Sequence, residues 1–129
     1  MTTRVEKHRI LLVDDEPDIL MLLTFLLEDA GFQVEAESDG QRAVELAGRK
    51  PQAEEFHVAL LDVTMPGLDG IQVAAALRGC PCCRHLRIAF HTATTEEWVR
   101  KRFTQYDDFM RKPLPGHQLV QRVARLCAR

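Results

Sequence analysis

Acidic, hydroxyl and ammonium side chains occur at four places along the chain, each directly after a short run that contains apolar residues. Asp14 and Asp15 follow RILLV, Asp62 follows HVALL, Thr92 follows RIAFH, and Lys112 follows DFMR. Carboxylates that share a site disfavour one another's ionisation, and a hard divalent cation removes that conflict. Mg²⁺ prefers a few carboxylate ligands and keeps several waters, which leaves room for phosphate oxygens.

Phosphoryl transfer is the chemistry that such a set of side chains can perform. A carboxylate can attack phosphorus as a nucleophile and form an acyl phosphate. A metal ion and a lysine ammonium group neutralise the charge on the transferring group, and a threonine hydroxyl can donate a hydrogen bond to the product. We therefore expect a magnesium-dependent phosphoryl site wherever the fold brings these residues together.

The elements that must position these side chains follow from the alternation of apolar runs with helical patterns. Short, fully apolar runs are typical of strands buried on both faces, and apolar residues three and four apart are typical of helices. The predicted strands are Arg9–Val13, Phe32–Ala36, His57–Asp62, Arg87–His91 and Asp108–Arg111. The first predicted helix begins at Pro17 and is stopped by Gly31, and the second, Gln41–Ala47, ends at Gly48. The other three predicted helices are Ile71–Leu77, Glu96–Phe103 and Leu119–Cys127.

Five strands that alternate with five helices predict an α/β fold, a doubly wound parallel sheet with helices on both faces. In such sheets the functional site lies beyond the carboxyl ends of the strands, at the point where the strand order reverses. The residues directly after the strands are therefore expected to meet at one edge of the sheet.

Composition excludes several classes of protein. The 129 residues, 46% hydrophobic and 28% charged, predict one soluble domain, residues 1–129. A net charge of -2 gives no case for direct binding of nucleic acid. No apolar run approaches the roughly 20 residues of a membrane span, and Met1–Lys7 lacks the apolar region of a signal peptide. These features favour a cytoplasmic protein whose four cysteines are free thiols.

The chain resembles the receiver domains of response regulators in two-component signalling, of the kind found in chemotaxis regulators, over about residues 8–127. The motifs that carry the resemblance are LLVDDEPDI at 11–19, LLDVTMPGLDG at 60–70, HTA at 91–93 and DDFMRKP at 107–113. The resemblance implies a flavodoxin-like sheet of strand order 2-1-3-4-5. It also implies a signalling switch that assists its own aspartyl phosphorylation and dephosphorylation, not a conventional enzyme.

The resemblance further implies a role for each matching residue. Asp62 would accept the phosphoryl group, Asp15 would bind Mg²⁺ directly, and Asp14 would bind it through water. The backbone carbonyl of Thr64 would be another metal ligand. The residues that would contact the phosphoryl oxygens are Thr92 and Lys112, and Thr92 and Phe109 would form the switch.

A sensor histidine kinase or a histidine phosphotransfer protein is the phosphodonor that the resemblance implies. Phosphorylation would change the face formed by the fourth helix, the fifth strand and the fifth helix. The residues from 1 to 129 contain no output domain, so a downstream protein partner and a C-terminal output domain both stay open, as do a monomer and a phosphorylation-dependent dimer. The stretch from Thr92 to Lys112 is about two residues shorter than the family pattern, with Gln105-Tyr106 in place of the usual Gly-Ala.

Cysteine and histidine also cluster in GCPCCRH, outside the family motifs. The side chains are Cys80, Cys82, Cys83 and His85, but their spacing differs from the usual pairs of zinc ligands. Free thiols in a surface loop, without a metal, are the expectation. Cys127 is expected to pack in the core as a small hydrophobic side chain.

Three other side chains have more than one interpretation. Glu16 is expected only to favour the start of the first helix through the helix dipole. Trp98 is expected to pack back on the sheet, with a partner-binding role as the alternative. His91 is expected to be structural, although it stands where the family usually has an aliphatic residue.

Two other function classes use related folds. A haloacid-dehalogenase-type phosphatase has its nucleophilic Asp after the first strand, with a second Asp two residues later, and Asp14-Asp15 lacks that spacing. A flavodoxin-like electron carrier would need a phosphate-binding first loop. The acidic first loop of this chain would instead repel a phosphate.

Overall fold

The computed structural model describes residues 7–128, which form five strands and five α-helices in alternation. The strands are β1 Arg9–Val13, β2 Gln33–Glu37, β3 Val58–Leu61, β4 Arg87–Thr92 and β5 Asp108–Arg111. The helices are α1 Pro17–Asp29, α2 Gly40–Arg49, α3 Gly70–Gly79, α4 Glu96–Arg100 and α5 Gly116–Cys127. Two 3₁₀ turns, Gln52–Glu54 and Pro81–Cys83, precede β3 and β4.

All strands are parallel and lie in the order β2-β1-β3-β4-β5, which confirms the expected doubly wound, flavodoxin-like sheet. Alternate residues of each strand point to opposite faces. In β1, Leu11 and Val13 contact the apolar layer that includes α2 and α3. Ile10 and Leu12 contact the layer that includes α1 and α5. Burial on both faces explains why the central strands are apolar throughout.

Several helix boundaries differ from the sequence prediction by one to three residues, and neighbouring residues explain the ends of α2 and α4. Helix α2 continues through Gly48 to Arg49, and Lys50 becomes extended (ψ 133°) because Pro51 follows it. Helix α4 ends at Arg100 and not at Phe103. Phe103 instead packs on the core, with its ring perpendicular to that of Phe90 at a centroid distance of 6.2 Å.

The start of β2 is one residue later than predicted because α1 ends in a tight turn. Gly31 adopts φ 102°, a left-handed conformation that favours glycine. The backbone N–H of Phe32 then donates to the carbonyl of Leu27, which draws Phe32 back against the helix. Within residues 7–128, the helices are all too short or too polar to cross a membrane.

Candidate functional site

Two carboxylates are buried side by side beyond the carboxyl ends of the adjacent strands β1 and β3. Asp14 is 2% exposed and Asp62 is 6% exposed. Their backbones continue the sheet, because the N–H of Asp14 donates to the carbonyl of Glu37 and that of Asp62 donates to Val13. Buried carboxylates require partners, since an unpaired buried charge is costly.

Lys112 supplies the partner for both carboxylates. Its Nζ donates to Oδ2 of Asp14 at 2.9 Å and to Oδ2 of Asp62 at 3.1 Å. The backbone N–H of Lys112 donates to the carbonyl of Thr92 (2.8 Å), which anchors the end of β5 beside β4. The next peptide bond, to Pro113, is cis. The structure thus brings together Asp14, Asp62 and Lys112, three residues selected from the sequence.

The ionisation of this cluster depends on burial and on the mutual contacts. Burial raises the pKa of Asp14, although the hydrogen bonds from Glu16 N–H and Lys112 act in the opposite direction. Burial also acts to lower the pKa of Lys112. The hydrogen bond to Asp14 and the negative charges of Asp62 and Asp14 outweigh it, so the net effect is a raised pKa. Lys112 is therefore a firmly charged ammonium group.

Glu16 joins this cluster, which sequence reasoning did not foresee. Carboxylate oxygens of Asp14, Glu16 and Asp62 all lie within 4.8 Å of one another, and Oε1 of Glu16 is 3.7 Å from Lys112 Nζ. The expectation of a helix-dipole role alone is therefore incomplete. The signal was its position directly after Asp14-Asp15, at the turn where α1 begins.

Asp15 is half-buried and is not part of this group of mutually close carboxylates, among those of residues 7–128. Thr64 is exposed, with its hydroxyl 3.2 Å from that of Thr94 across the loops after β3 and β4. The metal-binding roles expected of Asp15 and of the Thr64 carbonyl stay predictions.

The donor set fits Mg²⁺ by its chemistry. Three carboxylates face one ammonium group, which leaves an excess of two negative charges when all are ionised. A divalent cation balances that excess, and oxygen ligands are those that Mg²⁺ prefers. Asp14, Glu16 and Asp62 are the carboxylates that the structure places within reach of one ion.

Gly70, the first residue of α3, allows the helix to approach the backbone of Asp62. A Cβ at position 70 would lie 2.0 Å from the carbonyl oxygen of Asp62. The N–H of Gly70 donates to Val63 at 2.9 Å, and Asp69 with Gln72 forms a capping box at this end of α3. The motif LDG at 68–70 thus holds the loop after Asp62 in place.

Thr92 lies at the end of β4, fully buried, and its Oγ1 accepts a hydrogen bond from the N–H of Thr94 (3.2 Å). Phe109 is half-buried in an aromatic cluster next to Phe90 and Tyr106, at centroid distances of 6.4 and 6.3 Å. The phenolic O–H of Tyr106 donates to a carboxylate oxygen of α4 at 2.6 Å. The two expected switch residues therefore lie on the neighbouring strands β4 and β5.

His91 and Trp98 are two side chains with more than one interpretation from the sequence, and the structure shows the surroundings of each. His91 is 6% exposed at the carboxyl end of β4. Burial, together with the positive charge of Lys112, lowers its pKa to about 4, so it is neutral near pH 7. The expectation that Trp98 packs on the sheet is wrong. Its side chain is 41% exposed and stacks under the guanidinium of Arg102, 3.6 Å from the ring centroid.

Known proteins match the chain over most of its length. The family model of the response regulator receiver domain matches residues 10–124. Over 118 residues the chain is 38% identical to the sensor protein GacS of Pseudomonas syringae pv. syringae, which covers 88% of this chain and 13% of GacS. Over 123 residues it is 35% identical to the alkaline phosphatase synthesis transcriptional regulatory protein PhoP of Bacillus subtilis, which covers 94% of this chain and 49% of PhoP.

A solved structure is also similar to this chain over nearly its whole length. The receiver domain of the sensor histidine kinase PA1611 from Pseudomonas aeruginosa PAO1, with a magnesium ion coordinated in its active-site cleft, has a TM-score of 0.84 at 26% identity. The match covers 96% of this chain and all of that one. The sheet order and the acidic cluster define a two-component signalling domain. The chain belongs to the response regulator receiver domain family, and it spans half or less of the length of the curated relatives it matches.

Proposed function

We propose that this chain is a phosphorylation switch that accepts a phosphoryl group on Asp62 in a magnesium-dependent reaction. The observation that carries the proposal is the contact of Lys112 with Asp14 and Asp62 at the carboxyl edge of the sheet. The proposed nucleophile Asp62, the proposed metal-binding carboxylate of Asp14 and the positive charge of Lys112 then lie in mutual contact. That arrangement suits in-line transfer of a phosphoryl group.

In the proposed reaction, a carboxylate oxygen of Asp62 forms a bond to phosphorus as the bond from phosphorus to the donor nitrogen breaks. Bound Mg²⁺ would supply positive charge to the equatorial oxygens. Lys112 holds its charge next to the same oxygens, and the buried hydroxyl of Thr92 donates a hydrogen bond to the product. Because these groups also surround the acyl phosphate, the chain would assist its own dephosphorylation.

The phosphodonor in this proposal is a sensor histidine kinase or a histidine phosphotransfer protein. Its phosphohistidine must reach Asp62, so the donor has to contact the rim of the site. Helix α1 begins at that rim and carries three exposed apolar side chains, Met21, Leu22 and Phe25, which are 73%, 55% and 65% exposed. Large exposed apolar side chains at such a position favour contact with a partner.

The output in this proposal is the face formed by α4, β5 and α5, which we call the switch face. A phosphoryl group on Asp62 would draw Thr92 inward and let the Phe109 ring bury more deeply, so that a minor conformation of this face becomes the major one. A cytoplasmic setting follows from the ATP-dependent kinases that supply the phosphoryl group. The matched relatives include both a sensor protein and a transcriptional regulator, so either type of assembly is compatible with this output.

Incubation with acetyl phosphate tests the proposal. With Mg²⁺ we expect the intact mass to increase by one phosphoryl group per chain, and with EDTA we expect no increase. Release of phosphate that continues unchanged in Asp62→Asn would instead indicate a phosphatase with another nucleophile. An unlabelled and inactive chain would contradict phosphoryl chemistry altogether.

A further inference from the structure

Three cysteine sulfur atoms converge at the edge of the sheet opposite to Asp62. Cys80 follows α3, and Cys82 and Cys83 belong to the 3₁₀ turn that precedes β4. The Sγ atoms of Cys80 and Cys82 are 2.6 Å apart, those of Cys82 and Cys83 are 3.8 Å apart, and all three lie within 4.8 Å of one another. The turn lies at the amino end of β4, whereas Asp62 follows the carboxyl end of β3.

The expectation of thiols in a surface loop is wrong in one respect. Cys83 is 8% exposed, and Cys80 and Cys82 are half-buried against the same apolar layer. The spacing C-x-C-C does not match the usual pairs of zinc ligands, but the 3₁₀ turn brings the three side chains to one side of the backbone. In such a turn, residues three apart lie on one side, which brings Cys83 back toward Cys80. The N–H of Cys83 donates to the carbonyl of Cys80 at 3.0 Å and fixes this geometry.

The surroundings of the sulfur atoms favour a cation. The Cys82 thiol donates to the carbonyl oxygens of Ala47 (3.6 Å) and Gly48 (4.0 Å), both in the last turn of α2. Cys80 directly follows the last residue of α3. The carboxyl ends of two helices, which carry partial negative charge, therefore meet at the thiols. Bare thiolates would be unfavourable there, so deprotonation of the thiols requires a cation in place of their protons.

We propose that Cys80, Cys82 and Cys83 bind one thiophilic metal ion, of which Zn²⁺ is the physiological candidate. Each thiol would release its proton to solvent and form a metal–sulfur bond, and a Zn²⁺ tris-thiolate would carry one negative charge. Zinc–sulfur bonds of about 2.3 Å place tetrahedral sulfur ligands roughly 3.8 Å apart. The distance between Cys82 and Cys83 already has this value, whereas Cys80 has to move away from Cys82.

A cavity of about 340 Å³ adjoins Cys82 and gives access to the metal site. Its lining includes Lys50, Arg84 and His85 as well as the carboxylate of Glu55. Arg84, together with Lys50, which also pairs with Glu35 at 2.7 Å, would offset the negative charge of a tris-thiolate complex, and water from the cavity would fill the fourth metal position. A disulfide is the competing chemistry for close thiols, but it uses two sulfur atoms and does not account for the third.

The test uses the 129-residue chain, reduced, desalted without oxygen and saturated with Mg²⁺ so that the acidic site does not bind the probe. Titration with Co²⁺ should produce thiolate-to-metal charge-transfer absorption that saturates at one ion per chain. Zn²⁺ should displace the Co²⁺ and abolish the absorption. Absence of this absorption would overturn the proposal, even if peroxide converted the thiols to a disulfide.

Serine variants identify the ligands. Cys80→Ser, Cys82→Ser and Cys83→Ser should each weaken Co²⁺ binding by about tenfold or more, because each removes a direct ligand. Cys127→Ser is the matched control, since Cys127 packs against the other apolar layer, and its titration should equal that of the wild type. Cys83→Ala, checked by circular dichroism, replaces Cys83→Ser if the serine variant unfolds. Equal binding by the wild type and the three variants would contradict the proposal.

Discussion

At the scale of single residues, the site depends on one lysine that contacts two buried carboxylates. Lys112 has a side chain that is 14% exposed, and its raised pKa keeps it charged. The removal of one member of such a buried cluster is costly because it leaves the others uncompensated. A second cation would balance the excess negative charge of the cluster. Asp14, Asp62 and Lys112 could be predicted from the sequence because each directly follows a strand, whereas Glu16 could not.

Asp15 is expected to be a direct ligand of Mg²⁺, and its substitution tests that role. We predict that Asp15→Asn weakens Mg²⁺ binding by about tenfold, because one direct carboxylate ligand is lost. Calorimetric titration with Mg²⁺ measures this. Glu16→Gln is the matched comparison, since Glu16 belongs to the close carboxylate group. Unchanged affinity in Asp15→Asn together with a loss in Glu16→Gln would assign the ligand to Glu16.

His91 gives a prediction for stability against pH. Its pKa is about 4 in the folded chain, lowered by burial and by Lys112, against about 6.5 when unfolded. Between these values the unfolded state binds the extra proton, so His91 stabilises the fold above about pH 6.5 and this contribution disappears as the pH falls toward 4. The loss amounts to about 3 kcal/mol.

Urea unfolding of the wild type and His91→Val from pH 7 to 4 measures this contribution. The variant lacks the imidazole, whereas Asp14 is present in both proteins and Lys112 stays charged throughout this pH range. We expect the free energy of unfolding of the wild type to fall more steeply with decreasing pH. Parallel curves for the two proteins would show that burial of His91 has no such consequence.

At the scale of elements, local residues decide where each helix begins and ends. The periodicity of apolar residues predicted all five helices, but it could not show that Pro51 ends α2 or that Phe103 leaves α4 for the core. The sequence shows that Cys80, Cys82 and Cys83 lie close together along the chain, but not that their sulfur atoms meet. The convergence of the sulfur atoms depends on a 3₁₀ turn, which no periodic pattern of apolar residues predicts.

Gly70 links helix α3 to the phosphoacceptor loop. Gly70→Ala should destabilise the fold by about 1–3 kcal/mol, because its Cβ would overlap the carbonyl of Asp62. Phosphorylation by acetyl phosphate should also slow, since the loop after Asp62 must shift. Gly79→Ala, in the last turn of the same helix, has open space around its Cβ. Chemical denaturation should therefore show it to be as stable as the wild type or slightly more so. Equal effects of the two substitutions would rule out the overlap.

At the scale of the whole molecule, signalling requires that phosphorylation of the site changes the switch face. Thr92 lies at the end of β4, Phe109 lies on β5, and Trp98 lies on α4, which begins four residues after Thr92. These positions were predicted from sequence. The exposure of Trp98 was not, because stacking by Arg102 holds the ring at the surface.

Thr92→Ala should weaken this communication. It removes a hydrogen bond to the phosphoryl group worth about 2 kcal/mol, so beryllofluoride, an acyl-phosphate mimic, should shift the conformation less. The fluorescence of Trp98, the single tryptophan, reports the change, and amide NMR shifts report it if the indole is insensitive. Thr104→Ala, at an exposed position after α4, should respond as the wild type does. An equal response in Thr92→Ala would exclude Thr92 as the coupling residue.

Reductive trapping shows which residue carries the phosphoryl group, which we propose is Asp62. After reaction with acetyl phosphate and Mg²⁺, borohydride converts an aspartyl phosphate to homoserine, which peptide mass spectrometry locates. We predict homoserine at position 62 alone in the wild type and in the control Asp29→Asn, an exposed position at the end of α1. We predict none in Asp62→Asn. Homoserine at position 14 or 15, or trapping that persists in Asp62→Asn, would contradict the account.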